Sequence, residues 1–139
     1  MTHMLFMLAF VATAEEQKDQ DLIQGTWRVA RLEYNGKVNT DHFREDTYIF
    51  KGNQVTLVGD GREYYKMTFK LDPAKQPKTI DFTITEGVAD VGRTDLGIYR
   101  LGENTLTLSR GVKERPKDFD GAGKVGKPGL LTLERVKSK

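Results

Sequence analysis

The sequence contains no cysteine, and this absence excludes several kinds of chemistry at once. Disulfide bonds, thiolate nucleophiles, cysteine-ligated metals and a lipid-modified N-terminal cysteine are all ruled out. Histidine is nearly absent too, since the chain carries only His3 and His42. A structural zinc site usually takes about four nitrogen or sulfur ligands, which this chain does not have. We therefore expect neither a metal nor another cofactor.

The chain also lacks an excess of one charge, because 22 basic and 20 acidic residues are mixed along it and leave a net charge of +2. This balance favours neither nucleic acid nor an anionic membrane as a partner. An apolar run at residues 4–11 is far shorter than the roughly 20 residues that span a bilayer as a helix. We expect one soluble domain with no stable membrane anchor, since 139 residues suffice for one core.

The N-terminal residues have the pattern of an export signal. The apolar run ends in Ala12-Thr13-Ala14, whose small side chains suit signal peptidase cleavage before Glu15. The alternative is an apolar helix that packs on the domain. We predict a signal peptide at residues 1–14, a polar lead at residues 15–21, and a secreted, periplasmic or cell-envelope protein.

After residue 24 the chain alternates between short strand-like runs and turn signals. The clearest period of two puts four apolar side chains on one face of a strand: Tyr65, Met67, Phe69 and Leu71. Asn35-Gly36 is a strong signal for a tight hairpin turn. No segment has the length and 3.6-residue period of a helix. We predict an all-β fold, an eight-stranded antiparallel up-and-down barrel within residues 22–137.

The only tryptophan lies at the head of the first predicted strand, two residues after a glycine. In an up-and-down barrel the last strand runs antiparallel beside the first, so its end lies next to Trp27. Arg135 shares a face with Leu131 and Leu133 near that end. We therefore predict that Trp27 closes one end of the barrel, that Arg135 stacks on its indole, and that Gly25 permits close backbone approach.

This arrangement of Gly25, Trp27 and Arg135 resembles the closed end of lipocalins and their relatives. Four stretches of the chain are similar to successive motifs of an uncharacterised family of secreted bacterial domains that is abundant in planctomycetes: LIQGTWRVARLEYNGK, FKLDPAKQPKTIDFTI, LGIYRLGENTLTLS and KERPKDF. The resemblance covers about residues 22–136. It implies a lipocalin-like, calycin-like barrel and no activity, because the family has no assigned function or catalytic residues.

Candidate catalytic sets are weak. Ser109 lies on a predicted strand with no histidine expected beside it, so a serine nucleophile is not favoured. Asp81 and Asp95 are a possible carboxylate pair, although an exposed strand position is the simpler explanation of Asp81. His42 and Asp46 have helical ligand spacing, against which a solvated loop histidine is the simpler interpretation. We predict no catalytic residues and no enzyme.

The longer predicted loops gather at the end of the barrel opposite Trp27, where binding sites on rigid scaffolds tend to lie. They carry the residues that we expect around a ligand mouth: His42, Phe43, Tyr64, Arg115, Lys117 and Phe119. Aromatic walls with a basic rim suit an amphipathic anion. The sequence does not separate a hollow barrel from one filled by its own side chains.

Two functions follow from these patterns. The first is an exported, monomeric, non-enzymatic protein that binds a small apolar or amphipathic ligand inside the barrel. The alternative is an interaction module with a solid core, which docks an envelope protein or polymer through its loops. The volume and polarity of the barrel interior distinguish the two.

Overall fold

The computed structural model describes residues 13–39 and 46–137. This part of the chain forms one helix and nine strands, with the following bounds: α1 Ala14–Ile23, β1 Gly25–Tyr34, β2 Lys37–Asn39, β3 Thr47–Lys51, β4 Gln54–Gly59, β5 Arg62–Asp72, β6 Thr79–Gly87, β7 Thr94–Leu101, β8 Thr105–Gly111 and β9 Leu130–Arg135. Within the described residues, no helix has the length and apolar character needed to cross a membrane.

Eight of the strands form a closed antiparallel barrel, which confirms the predicted fold. Neighbouring strands pair in the order β1, β3, β4, β5, β6, β7, β8 and β9, and β9 then pairs with β1. In this closing pair Trp27 lies opposite Arg135, and Leu32 lies opposite Leu131. The barrel therefore has no free edge along these strands.

The remaining strand, β2, is a three-residue extension paired with the far end of β1. Asn35 and Gly36 connect the two strands with φ values of 53° and 77°, as a type I′ hairpin turn requires. The sequence indicates this turn. It does not reveal the strand, because three residues are too few to show a period of two.

Helix α1 corrects one expectation, the absence of any helix, because residues 14–23 are helical and include the predicted polar lead. Glu16 N donates to Thr13 Oγ1 at 3.1 Å, so Thr13 caps the helix. Glu15 and Glu16 lie in its first turn, where negative charge is favourable. The helix shows no clear apolar period because it contacts the barrel mainly through Asp19 and Ile23, both buried.

The closed end of the barrel has the predicted geometry. Arg135 Cζ lies 4.3 Å from the centroid of the Trp27 ring, and Trp27 is fully buried. The indole Nε1 donates to Ile23 O at 2.8 Å, which ties it to α1. Gly25 has φ +118°, and a Cβ added there would lie 3.1 Å from Arg135 Nη1. A glycine at this position therefore permits the close approach of Arg135.

The interior between α1 and the middle of the barrel is occupied by side chains. Alternate strand positions point inward and pack as one cluster, of which Phe50 and Phe69 form an edge-to-face pair with centroids 5.1 Å apart. Met67, Phe82 and Leu106 are each almost fully buried. The barrel is thus solid over its closed half.

The long β8–β9 connection, residues 112–129, folds back along the outer wall of the barrel, and we call it the strap. Arg115 Nη1 in the strap donates to Gly97 O on β7 at 2.8 Å. Ile98 and Ser109 face outward, opposite each other on β7 and β8, yet are only 0% and 1% exposed. The strap covers these outward positions.

Candidate functional site

A cavity of about 290 Å³ opens at the end of the barrel opposite Trp27. Its walls combine apolar side chains with a small polar set, and its lining residues are Val29, Leu32, Asp46, Tyr48, Leu57, Tyr64, Tyr65, Leu108, Arg110, Gly129 and Leu131. We call this the mouth cavity. An apolar wall with a few converging polar groups is the usual make-up of a small-molecule site.

A β-bulge brings two tyrosines to the mouth cavity. Leu57 on β4 pairs with Tyr65, but Val58 pairs with Glu63, so Tyr64 is the extra residue. A bulge re-aims the side chains beside it, and here both phenol rings line the cavity with centroids 5.4 Å apart. Tyr64 Oη donates to Asp46 Oδ2 at 3.1 Å.

Arg110 supplies the positive charge of the mouth cavity. It follows Leu106 and Leu108 in the inward positions of β8, and its Cζ lies 5.2 Å from the centroid of the Phe82 ring. Its Nε lies 3.2 Å from Asp95 Oδ2, while Arg93 Nε donates to Asp95 Oδ1 at 2.8 Å. Asp95 is 1% exposed and contacts two guanidinium groups, of which that of Arg93 also pairs with Asp90 at 2.9 Å.

The phenols of Tyr48 and Tyr64 in the mouth cavity remain protonated at neutral pH. Burial raises the pKa of Tyr48, an effect that the nearby Arg110 charge offsets only in part. Burial also raises the pKa of Tyr64, and the neighbouring Tyr48 and Asp46 raise it further. Among the residues that the structure describes, a bound molecule would therefore meet the neutral hydroxyl groups of Tyr48 and Tyr64, the guanidinium of Arg110 and the carboxylate of Asp46.

The structure does not bring the six predicted mouth residues together. Tyr64 lines the mouth cavity as expected. His42 and Phe43 lie outside the described residues. The remaining three, Arg115, Lys117 and Phe119, belong to the strap on the outer wall.

The strap residues are held away from the mouth by their own contacts. Arg115 Nη2 lies 2.7 Å from Asp81 Oδ1, an outward carboxylate on β6. Arg100 Cζ, on the outer face of β7, lies 4.1 Å from the centroid of the Phe119 ring. The prediction of a basic rim formed by Arg115 and Lys117 therefore misplaces these residues, and within the described part of the chain the cation that lines the cavity is Arg110.

The predicted mouth residues do not include Asp46, Tyr48 and Arg110, which line the mouth cavity. A signal for Arg110 exists, because a charged residue continues the inward series of Leu106 and Leu108. Tyr48 gives no such signal, since it alternates with Phe50 as any core aromatic would.

The suggested carboxylate pair does not form. Asp81 lies opposite Leu96, whereas Asp95 lies opposite Phe82, so the two carboxylates occupy opposite faces of the barrel wall. Asp81 contacts Arg115 outside, and Asp95 contacts Arg93 and Arg110 inside.

A larger hollow, about 470 Å³, lies on the outer wall between the strap and the β5–β6 turn. It is a groove bounded by Lys70, Lys75 and Lys117, which are all exposed. The mouth cavity is smaller but enters the barrel and contains the buried polar cluster. We therefore take the mouth cavity as the candidate site.

Residues 13–39 and 46–137 contain no group of three or more His, Asp or Glu side chains placed to hold a metal ion. Asp46, once considered with His42 as a metal ligand, accepts a hydrogen bond from Tyr64. Comparisons of the chain with protein-family models, curated proteins and solved structures gave no match.

Proposed function

We propose that this chain is an exported, non-enzymatic protein that binds a small apolar or amphipathic molecule in the mouth cavity. The observation that carries the proposal is the cavity itself, an apolar opening of about 290 Å³ with Arg110, Tyr48 and Tyr64 converging on it. We expect its residues to bind and orient rather than react, because the described lining includes no serine, threonine, cysteine, lysine or histidine side chain to serve as an activated nucleophile or general base.

The size of the cavity limits what it holds. Ligand pockets range from about 300 to 1,000 Å³, so this one suits a small molecule or one end of a longer molecule. The filled half of the barrel below it prevents deeper entry. Apolar contact with Val29, Leu57 and Leu131 would contribute about 25 cal/mol per Å² of apolar area buried.

The polar cluster specifies the orientation of the ligand. Arg110 pairs with Asp95, and Arg93, which also contacts Asp95, has a further partner in Asp90. A carboxylate or another hydrogen-bond acceptor on the ligand would meet Arg110 and the two phenols. The apolar part would then lie against the upper walls of the cavity.

Titration with a panel of fluorescent fatty acids and their neutral esters tests the proposal. Saturable binding in the micromolar range, about −8 kcal/mol, is expected. Leu131→Trp fills the cavity and should abolish binding, whereas Ile49→Trp adds the same ring on the outer face of β3 and should not. Arg110→Met should weaken binding of the acid more than that of the ester.

Absence of saturable binding by any probe, or equal binding by Leu131→Trp and the unmodified chain, would contradict the proposal. The interaction module would then be the better explanation, with the solid closed half of the barrel as scaffold and its loops as the docking surface. Native mass spectrometry of protein purified from its own host adds an independent measurement, since a retained ligand appears as added mass.

A further inference from the structure

Exposed apolar side chains are concentrated at the open end of the barrel. In residues 13–39 and 46–137, six of the eight exposed large hydrophobic residues lie in the loops or hairpin at that end: Tyr34, Val38, Val88, Val91, Val112 and Val125. Three of them, Tyr34, Val38 and Val125, occur beside lysines in two segments that touch. We call this surface, formed by Tyr34, Lys37, Val38, Lys124, Val125 and Lys127, the basic corner.

Backbone contacts join the two halves of the basic corner. Gly36 N, in the β1–β2 turn, donates to Gly123 O in the strap at 2.8 Å. Gly123 has φ +86°, and a Cβ added there would lie 2.6 Å from Glu33 Cβ, so this contact requires glycine. A Cβ on Gly36 would lie 3.3 Å from Val125. The corner is thus a built feature of the fold.

The apolar side chains of the basic corner are unusually accessible. Tyr34 is 64% exposed, Val38 52% and Val125 74%. Tyr34 pairs with Lys37 across the hairpin, and Val38 pairs with Glu33, so Tyr34 and Val38 lie on opposite faces of it. A flat protein partner would cover one face of this protruding hairpin, whereas a fluid lipid interface would surround both.

The charge of the basic corner complements an anionic lipid surface. Lys37, Lys124 and Lys127 are all exposed, while Glu33 is paired with Arg31. The β6–β7 loop differs in this respect, because no lysine lies in it: its exposed Val88 and Val91 lie among Glu86, which pairs with Lys66, and Asp90, which pairs with Arg93. Lysines near an anionic bilayer each strengthen binding, and apolar tips beside them enter the headgroup region.

We propose that the basic corner docks reversibly on an anionic phospholipid bilayer. Tyr34 lies next to Gly129, which lines the mouth cavity, so docking would hold the mouth against the lipid surface. If the mouth cavity binds a ligand as proposed above, this position lets an amphipathic molecule pass between the bilayer and the cavity. The docking step itself is independent of any ligand.

Vesicle co-sedimentation of the full chain tests the docking. Vesicles of phosphatidylcholine alone are compared with vesicles that also contain about 30% phosphatidylglycerol, at low and at high salt. Binding is expected only with the anionic vesicles and should weaken as salt rises. Reversal of two charges, Lys37→Glu with Lys124→Glu, should reduce the partition coefficient about tenfold or more.

Two further variants separate the apolar and the general contributions. Tyr34→Ser with Val125→Ser should reduce vesicle binding severalfold with the lysines intact. Val88→Ser with Val91→Ser removes equally exposed apolar side chains from the acidic loop and should leave vesicle binding unchanged. Every variant carries the same N-terminal residues, so any affinity of the apolar run at residues 4–11 cancels in these comparisons. Unchanged thermal unfolding shows that each variant is folded.

Absence of binding to anionic vesicles would overturn the proposal, as would equal losses from the corner and from the β6–β7 loop. Self-association of the chain that the corner substitutions abolish would also overturn it, by assigning the surface to a second copy. Failure of the proposed ligand-binding function is distinguishable, because vesicles without added ligand measure docking alone.

Discussion

At the scale of single residues, the side chain of Arg135 connects Trp27, the β7–β8 turn and helix α1. Its guanidinium covers the Trp27 indole, donates from Nε to Glu103 O at 2.8 Å, and donates from Nη1 to Gln24 O at 2.8 Å. Nη2 donates to Leu22 O in the last turn of α1. A cation at a helix C-terminus is favourable, so Arg135 also fixes α1 on the barrel.

Removal of either partner at the closed end should destabilise the protein to different extents. Arg135→Ala loses stacking and stem packing and should lower the free energy of unfolding by about 1–3 kcal/mol. Trp27→Ala removes a large buried aromatic and should cost about 3–5 kcal/mol. Chemical denaturation measures both. Arg135→Lys keeps the charge without the planar fork and should fall between Arg135→Ala and the unmodified chain.

Tyr99 should make the protein sensitive to alkaline pH. Burial and the hydrogen bond from its hydroxyl to Asp19, 2.6 Å long, raise the pKa of Tyr99. The fold therefore favours the neutral phenol, while tyrosine in the unfolded chain ionises near about pH 10. This contribution is complete below pH ~10 and is lost above it, by about 1.4 kcal/mol per pH unit while only the unfolded chain ionises.

Urea unfolding from neutral to alkaline pH measures this effect. Tyr99→Phe should lower stability at neutral pH, because Asp19 loses a buried partner. The same variant should lose less stability than the unmodified chain as the pH rises above about 10. Parallel pH profiles for the two proteins would show that Tyr99 does not cause the alkaline sensitivity.

At the scale of elements, α1 acts as the cover of the closed end rather than as a free helix. A helix of ten residues is too short to be stable alone in water, so its docking contacts must hold it. Asp19 accepts hydrogen bonds from Lys78 Nζ at 3.0 Å and from Tyr99, and Ile23 is fully buried. These contacts come from strands distant in sequence.

Deletion of residues 1–23 should uncover Trp27 and weaken the barrel. The indole would lose its Ile23 partner and meet water, so its fluorescence emission should shift to longer wavelength and the Tm should fall. Because Trp27 is the only tryptophan, the signal has one source. A matched chain that begins at Glu15 keeps most of α1 and should retain the emission of the full chain. Equal emission from both truncated chains would contradict the cover role.

The strap should contribute to stability rather than to ligand affinity. Arg115→Ala removes the hydrogen bond to Gly97 O and the pairing with Asp81, and should lower the free energy of unfolding by about 1–3 kcal/mol. Lys117→Ala, at an exposed neighbouring position, is the matched control and should change little. Fatty-acid titration of both variants should match that of the unmodified chain. A weaker fatty-acid affinity of the Arg115→Ala variant would contradict this prediction and indicate that Arg115 contributes to ligand binding.

The elements differ in how well the amino-acid sequence predicts their positions. Period-two alternation indicates the barrel strands because inward and outward positions differ in polarity, as Met67 and Lys66 do. Because the first and last strands of a closed barrel are antiparallel neighbours, the topology alone then predicts the contact between Trp27 and Arg135. The strap, by contrast, lacks any period, and its course depends on the tertiary contact between Arg115 and Gly97.

The candidate site was only partly foreseeable for a related reason. Tyr64 was identified by its position near a loop, although its orientation depends on a bulge that shifts the β4–β5 register. Arg110 was overlooked because strand alternation alone gives no partner for it, and Asp95 lies on a different strand. The pairing of Arg110 with Asp95 depends on the closed barrel, in which β7 and β8 place both side chains toward the interior.

At the scale of the whole molecule, export should leave Glu15 as the first residue. The predicted cleavage point lies one residue inside α1, so processing would remove the Thr13 cap and place an ammonium group in the first helical turn. Docking through Asp19 and Ile23 should nevertheless preserve the helix. Intact-mass measurement of protein from the native host tests the prediction, and a full-length chain recovered from the cytoplasm would disprove it.

Closure of the barrel has a consequence for the route by which the protein folds. Arg28 and Glu134 meet in the β1–β9 pair although 106 residues separate them in sequence. Every other strand pair in the barrel joins consecutive barrel strands, so only this one waits for nearly the whole chain to be synthesised and to collapse. High contact order of this kind slows folding, and an unclosed intermediate exposes two strand edges that can recruit other chains. Aggregation during biosynthesis therefore competes most directly with the β1–β9 closure step.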